Sequence, residues 1–423
     1  MSSELGLVSL FSGGMGLDLG MEAAGFHIHV ANEVDDASVE TIRRNRPELP
    51  LVHKSIVDVD ARVLSEAAGL ELQGTDVVAG GPPCQAFSIM GRRRGVSDQR
   101  GTLIWEFVRV VDEIRPRAFV MENVRGLHSM PLAQPKSRPE ESWRSEKGSL
   151  FRAMISEFES IGYRVDTFMV NSANYGAPQV RERMICIGSR YPITAEFPLP
   201  THSNRPEDGL PPFTTLSDVI GAGFVDPDPT LMNFSERKLR FLALVPPGGN
   251  WRSLPEELQR EAMGKQYFLK GGRSSSWRRL SWDFPSPTVH TLPNHATTSM
   301  CHPGELRALT AGECAAIQEF PATWRFQGSP SDRYRQIGNA VPIRLGNMAG
   351  NAVADLLERA TECGLIPTDK AAEIEPSRVV HLRPHVRVKR WWKGGNSLSG
   401  NHSYYPDDDP QTASQCSLFG EDD

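Results

Sequence analysis

A chain of 423 residues with 39% hydrophobic and 23% charged side chains fits a soluble globular protein of two or three domains. No run approaches bilayer-spanning length, and residues 1–10 lack the basic segment and cleavage site of a secretory signal. The net charge of −6 excludes a uniformly basic surface, so a polyanion would have to meet a local patch; the six cysteines (84, 186, 301, 314, 363, 416) show no C-x-x-C pairing, which argues against a zinc site or disulfide framework and for a cytoplasmic, reducing setting.

In chain order, residues 7–11 read as a short apolar strand and 17–24 as the helix after it. Gly13, Gly14 and Gly16 lie between, allowing a tight turn and a close backbone approach to a ligand. A second strand, 28–31, ends at Asn32-Glu33, where a carboxylate can hydrogen-bond both hydroxyls of a ribose. The apolar run 77–79 leads into Gly-Gly-Pro-Pro-Cys-Gln-Ala-Phe-Ser at 80–88, so Cys84 is presented on a stiff, proline-held loop at a strand's carboxyl end. There it is either a nucleophile or a buried structural thiol. Strand-like 118–120 runs into Met121-Glu122-Asn123-Val124, and Gln179-Val180-Arg181-Glu182-Arg183 precedes strand-like 184–187. Helix and strand patterns alternate to about residue 190, which predicts an α/β fold with a mainly parallel sheet and helices on both faces.

From about residue 197 the character changes. Prolines crowd 198–212, and the region to about 293 mixes short strand-like pieces with loops rich in Gly, Ser, Pro and Trp, as a smaller inserted domain would. A helix over 307–318, a loop at 336–342 and a helix over 345–359 lead back to the first domain. The expected division is 1–215, 216–300, 301–362 and a mostly extended or disordered tail, 363–423, with a basic patch at 381–393 and an acidic end.

The blocks Phe11-Ser12-Gly13-Gly14-Met15-Gly16, the Cys84 loop, Glu122-Asn123-Val124, Arg181-Glu182-Arg183 and Gln336-Ile337-Gly338-Asn339-Ala340-Val341-Pro342 stand in an order that closely resembles the bacterial DNA (cytosine-5)-methyltransferases. The resemblance covers about residues 5–190 and 300–355, and not the segment between. It implies a Rossmann-like domain with an inserted target-recognition domain, and methyl transfer from S-adenosylmethionine to carbon 5 of a flipped-out cytosine in duplex DNA. It assigns Cys84 as the nucleophile that adds to ring carbon 6, Glu122 as the group on N3 and the exocyclic amine, and Arg181 and Arg183 as support. Glu122 would hold its proton in a closed apolar pocket, because burial disfavours the anion; a capping or salt-bridged role is the alternative.

Carried over in the same way, Phe11, Gly13, Gly14 and Gly16 face the methionine part of the donor, Glu33 its ribose, and Val34 and Ile56 its adenine, with Pro83, Leu103 and Asn339 completing the pocket. Two positions depart from the family pattern. Ser55 stands where an aspartate often accepts from the adenine amino group, leaving Asp58 as a substitute acceptor, and Val34 stands where a large side chain often stacks.

Loop 89–101 resembles a lid over the flipped base, with Ser88 and Arg100 as phosphate contacts. Arg273, Arg278 and Arg279 are candidates for base or phosphate contact from the inserted domain. Near the end, Gln415-Cys416-Ser417-Leu418-Phe419 resembles the short peptide by which bacterial proteins dock on the replication sliding clamp, so Gln415, Ser417, Leu418 and Phe419 are clamp-contact candidates. The expected protein is a monomer on duplex DNA at the nucleoid, with no metal and no membrane partner. A tRNA methyltransferase of the same motif order and a catalytically silent DNA-binding protein are the rival readings.

Overall fold

The structure is a computed structural model, and it describes residues 4–83, 103–132, 146–268, 276–295, 299–368, 377–382 and 416–417. The chain opens with β1 (Leu5–Leu10), α1 (Gly16–Ala23), β2 (Phe26–Glu33), α2 (Asp36–Asn45), β3 (Leu51–His53), α3 (Ala61–Ala68) and β4 (Val77–Gly80). It continues through α4 (Leu103–Ile114), β5 (Ala118–Val124), α5 (Ser149–Ser160), β6 (Arg164–Asn171), β7 (Gln179–Val180) and β8 (Glu182–Ser189). Then come α6 (Leu216–Ile220), α7 (Glu236–Leu242), α8 (Glu256–Met263), β9 (Ser286–Pro287), α9 (Ala311–Ile317), α10 (Pro330–Asn339), α11 (Ile343–Glu362), β10 (Arg378–Leu382) and β11 (Cys416–Ser417).

The main sheet runs β11-β10-β6-β8-β5-β4-β1-β2-β3. Strands β5, β4, β1, β2 and β3 are mutually parallel, β8 lies antiparallel between β5 and β6, and β10 is parallel to β6. Period-two alternation splits each strand between two cores. On one face Leu7, Ala118, Val120, Ile185 and Ile187 pack with α1, α9, α10 and α11. On the other, Val8, Leu10, Phe119, Met121, Met184 and Cys186 pack with α3, α4 and α5. Burial on both faces is why these strands read as unbroken apolar runs.

Helix boundaries differ from the sequence reading in two places. The helix expected over 307–318 starts only at Ala311, because Thr310 caps it: its hydroxyl accepts from Glu313 N while Glu313 returns to Thr310 N. The loop expected at 336–342 is half helix, since α10 continues to Asn339 from its Ser329–Asp332 capping box.

The segment after 197 carries short helices where strand-like pieces are expected, and β9 is its short strand, paired in parallel with β7. Leu216, Ile220, Leu280 and Val289 join the first core, while Phe234, Phe241, Trp251, Met263 and Trp277 form a core of their own. A further difference lies in the tail. Arg378–Leu382 is not a loose extension: it is a strand paired in parallel with β6, tied down by Arg378 Nε to Asp166 at 2.7 Å. Cys416–Ser417 pairs in turn with Val379 and Arg378. Among the described residues no helix is long and apolar enough to cross a membrane.

Candidate functional site

Parallel strands send their carboxyl ends to one edge, and here β1, β2, β3, β4 and β5 end around a cavity of about 650 Å³. The turn after β1 supplies Phe11, Gly13, Gly14 and Gly16; the end of β2 supplies Glu33 and Val34; the turn after β3 supplies Ile56. Pro83, Leu103 and Asn339 close the remaining walls, and Glu122, Arg181 and Arg183 line the same space. Residues scattered over more than three hundred positions of chain thus meet in one place.

The glycines of the turn have distinct jobs. Gly13 takes a left-handed φ of 53°, which a side chain would strain. Gly16 instead permits close packing of protein on protein, since a Cβ there would lie 2.2 Å from Val341 O. The sequence reading assigned that close approach to a ligand; the neighbour is the 340–341 segment.

Glu33 is buried, and its carboxylate accepts three backbone N–H groups: Gly13 N on Oε2 at 2.7 Å, and Val34 N and Asp35 N on Oε1 at 2.7 and 2.8 Å. Of about four acceptor positions on a carboxylate, one remains, on Oε2. That is enough for one hydroxyl, where the sequence reading allowed two. Val34 is 60% exposed although apolar, and it lines the cavity, as does the buried Ile56. Asp58 is exposed and does not line the cavity, whereas Ser55 does. The substitute-acceptor expectation for Asp58 is therefore corrected.

At the other end, Glu122 Oε1 lies 2.6 Å from Arg183 Nε, both side chains being largely buried. The pairing follows from strand register: Val124 faces Arg183 across the β5–β8 ladder, which places Arg183 diagonal to Glu122 on the same side. Glu122 is consequently ion-paired, where a closed apolar pocket was expected. Burial pushes the Arg183 guanidinium below its ordinary range and Glu122 opposes that shift. Arg181, only 2% exposed, donates to the carbonyls of Val289, Gly338 and Asn339 at 3.3, 2.9 and 3.4 Å. Burial, then the nearby Arg183, drives its guanidinium well down. Arg181 braces the end of α10 against the segment after β9, so its head group serves the backbone.

Cys84, Ser88, Arg100 and Arg273 lie outside the described residues, as do the 89–101 loop, Gln415, Leu418 and Phe419; Ser417 is placed only as part of β11. The structure does place the residues leading to Cys84. Gly81, Pro82 and Pro83 line the cavity, and Asn123 Nδ2 donates to Pro82 O at 2.9 Å. Arg279, offered as a nucleic-acid contact, donates to Pro303 O at 3.1 Å. Arg278 is half-buried, pushed down to about 10 by burial, and close enough to His290 to help depress that imidazole. Arg279 is likewise half-buried, with part of its guanidinium committed to backbone carbonyls.

Sequence reasoning missed Asp18, which lines the cavity from the first turn of α1, and Arg335, which lines it while pairing with Asp35 at 2.9 Å. It also missed the buried relay in which Gln179 Nε2 donates to Gln318 Oε1 at 2.8 Å and Gln318 Nε2 donates to the carbonyls of Ile337 and Ala340. A charged residue within an otherwise apolar helix start was the available signal for Asp18. No local pattern reveals the glutamines, which meet across 139 positions.

The comparisons agree on one identity. A family model described as C-5 cytosine-specific DNA methylase matches residues 5–354. The Type II methyltransferase M.Eco47II of Escherichia coli is 36% identical over 360 residues, covering 84% of this chain and 79% of that one. The Type II methyltransferase M.Sau96I of Staphylococcus aureus is 35% identical over 358 residues, covering 85% and 77%. Among solved structures, one described as a DNA modification methyltransferase encoded within an E. coli prophage matches with a TM-score of 0.54 and 24% identity, over 84% of this chain and 99% of that chain. That likeness speaks to the fold. With a family model spanning nearly the whole chain and relatives above 30% identity, the chain belongs to the C-5 cytosine-specific DNA methylases.

Proposed function

We propose that this DNA cytosine-5 methyltransferase uses S-adenosylmethionine and acts on a cytosine flipped out of a specific duplex site, through a covalent adduct with Cys84. The observation that supports this most is the single cavity with a nucleoside-suited wall at one end, the Glu122–Arg183 pair at the other, and Gly81-Pro82-Pro83 leading from its wall into Cys84. Its volume suits a ligand of nucleoside size. When bound, S-adenosylmethionine supplies a methyl group on a positively charged sulfur. Val34 and Ile56 offer apolar surface to the flat adenine, Ser55 a polar neighbour to its amino group, and Glu33 its last acceptor to one ribose hydroxyl.

Cytosine carbon 5 is a poor nucleophile, and attack of the Cys84 thiolate on carbon 6 makes it an enamine-like one. Glu122 accepts from the exocyclic amine and, on taking up a proton, donates to N3, while Arg183 fixes its position. After transfer the carbon 5 proton leaves, with water as the base, and Cys84 is eliminated. The target atom is unreachable inside a duplex, so the base must leave the stack at a cost of a few kcal/mol. In this reading residues 216–300 recognise the site, Ser88 and Arg100 hold phosphates, and Arg273, Arg278 and Arg279 contact bases or phosphates from the inserted segment. The protein would serve at the nucleoid as a monomer, as the modification half of a restriction–modification system or as an orphan enzyme.

Duplex DNA carrying 5-fluorocytosine at the target should trap a stable covalent complex, since fluorine cannot leave as a proton does. Cys84→Ser should form none and transfer no methyl group while still binding S-adenosylhomocysteine. Full turnover by Cys84→Ser would end this mechanism. We further propose that the Gln415–Phe419 peptide docks on the sliding clamp; capture by purified clamp that survives replacement of Leu418 and Phe419 by alanine would refute it.

A further inference from the structure

Asp18 has no explanation in the chemistry described so far. It is 3% exposed, lines the cavity from the first turn of α1, and hydrogen-bonds the hydroxyl of Ser9, whose Oγ is 2.7 Å from Ser12 Oγ. The charged groups that act on it are Glu22 on its own helix and Glu33 at the end of β2, both negative. Among the described residues no Lys, Arg or His comes within ion-pairing distance of it. Buried carboxylates are ordinarily paired, and an unpaired one facing a cavity is a site waiting for a cation. Burial first, and the two carboxylates after it, raise this carboxyl to about 7.

Asp18 and Glu33 line the cavity beside the glycine turn; its cations are Arg181 and Arg183 beside Glu122, Arg335, which pairs with Asp35, and Lys54 after β3, none of which is ion-paired to Asp18. We propose that Asp18 is the counter-ion for the α-ammonium group of the methyl donor's amino-acid part. This inference rests on the cavity being the S-adenosylmethionine site. An ammonium brings three N–H donors to a carboxylate and to the Ser9–Ser12 hydroxyls, whereas a sulfonium brings charge but no donor. A carboxylate serving only the positive end of α1 would be indifferent to the ligand.

Calorimetric titration of two nucleosides separates these roles. S-adenosylhomocysteine carries the ammonium, and 5′-methylthioadenosine lacks the whole amino-acid part. Asp18→Asn, nearly isosteric, should weaken S-adenosylhomocysteine about ten- to a hundredfold and leave 5′-methylthioadenosine within about twofold. Ser9→Ala, which keeps the carboxylate but removes its partner, should give a smaller loss confined to the same ligand. Equal losses for both nucleosides, or none for either, would overturn the proposal. So would a loss seen with S-adenosylmethionine and absent with S-adenosylhomocysteine, which would make Asp18 the partner of the sulfonium. If the unaltered chain binds neither nucleoside, the donor assignment itself falls.

Discussion

A single carboxylate can behave in opposite ways according to what faces it, and Asp18 and Glu122 illustrate both. Asp18 is held near 7 by burial, against 3.8 in an unfolded chain, so between those values the folded protein binds more protons than the unfolded one. Its cost is absent below about pH 4, grows through the window from 4 to 7, and approaches roughly 4 kcal/mol above it. Asp18→Asn should therefore raise the melting temperature of the ligand-free protein at pH 8 and change it little at pH 4, as thermal unfolding at the two values will show. Glu122 has its cation already, in Arg183 at 2.6 Å. Replacing it by glutamine removes the charge and the proton carrier together. Methyl transfer should fall about 10²–10³-fold, while S-adenosylhomocysteine binding, measured at the far end of the cavity, stays within about twofold.

Between elements, the site depends on how closely α1 approaches the loop joining α10 to α11. Gly16 sets that approach, and alanine there would drive a Cβ to within 2.2 Å of Val341 O. Overpacking of this kind costs about 1–3 kcal/mol. Because Ala340 and Val341 line the cavity, Gly16→Ala should lower both the melting temperature and the affinity for S-adenosylhomocysteine. Arg181 makes a similar bridge on the other side, from β7–β8 to the end of α10. The Gln179–Gln318 pair runs parallel to it, with Gln179 Oε1 also accepting Val289 N. Two buried polar connections therefore bind the motif ahead of β8 to the motif at the end of α10. Their spacing in sequence hides a direct contact.

For the molecule as a whole, the tail strand is part of the folded body. Asp166, 2% exposed, is shared by Arg164, by Arg378 and by the backbone N–H of Ala195. A chain ending at Thr368 loses the Arg378 pairing and leaves the β6 edge bare. It should melt several degrees lower, whereas a chain ending at Leu382 should melt within a degree or two of the full one. Equal melting temperatures for the two truncations would show that β10 adds nothing.

The alternation of strands and helices, the glycine turn and many of the cavity residues were legible in the chain, though Asp18 and Arg335 were not. Each legible feature is a local pattern: apolar runs buried on two faces, glycines between a strand and a helix, a carboxylate at a strand end. The antiparallel insertion of β8, the strand at 378–382 and the helical make-up of the inserted segment were not, because pairing partners and buried contacts lie far apart in sequence. Local chemistry in the sequence thus determined which residue types line the cavity. Tertiary packing alone decided their partners, giving Glu122 an arginine and leaving Asp18 without one, because burial and charge act through space and not along the chain.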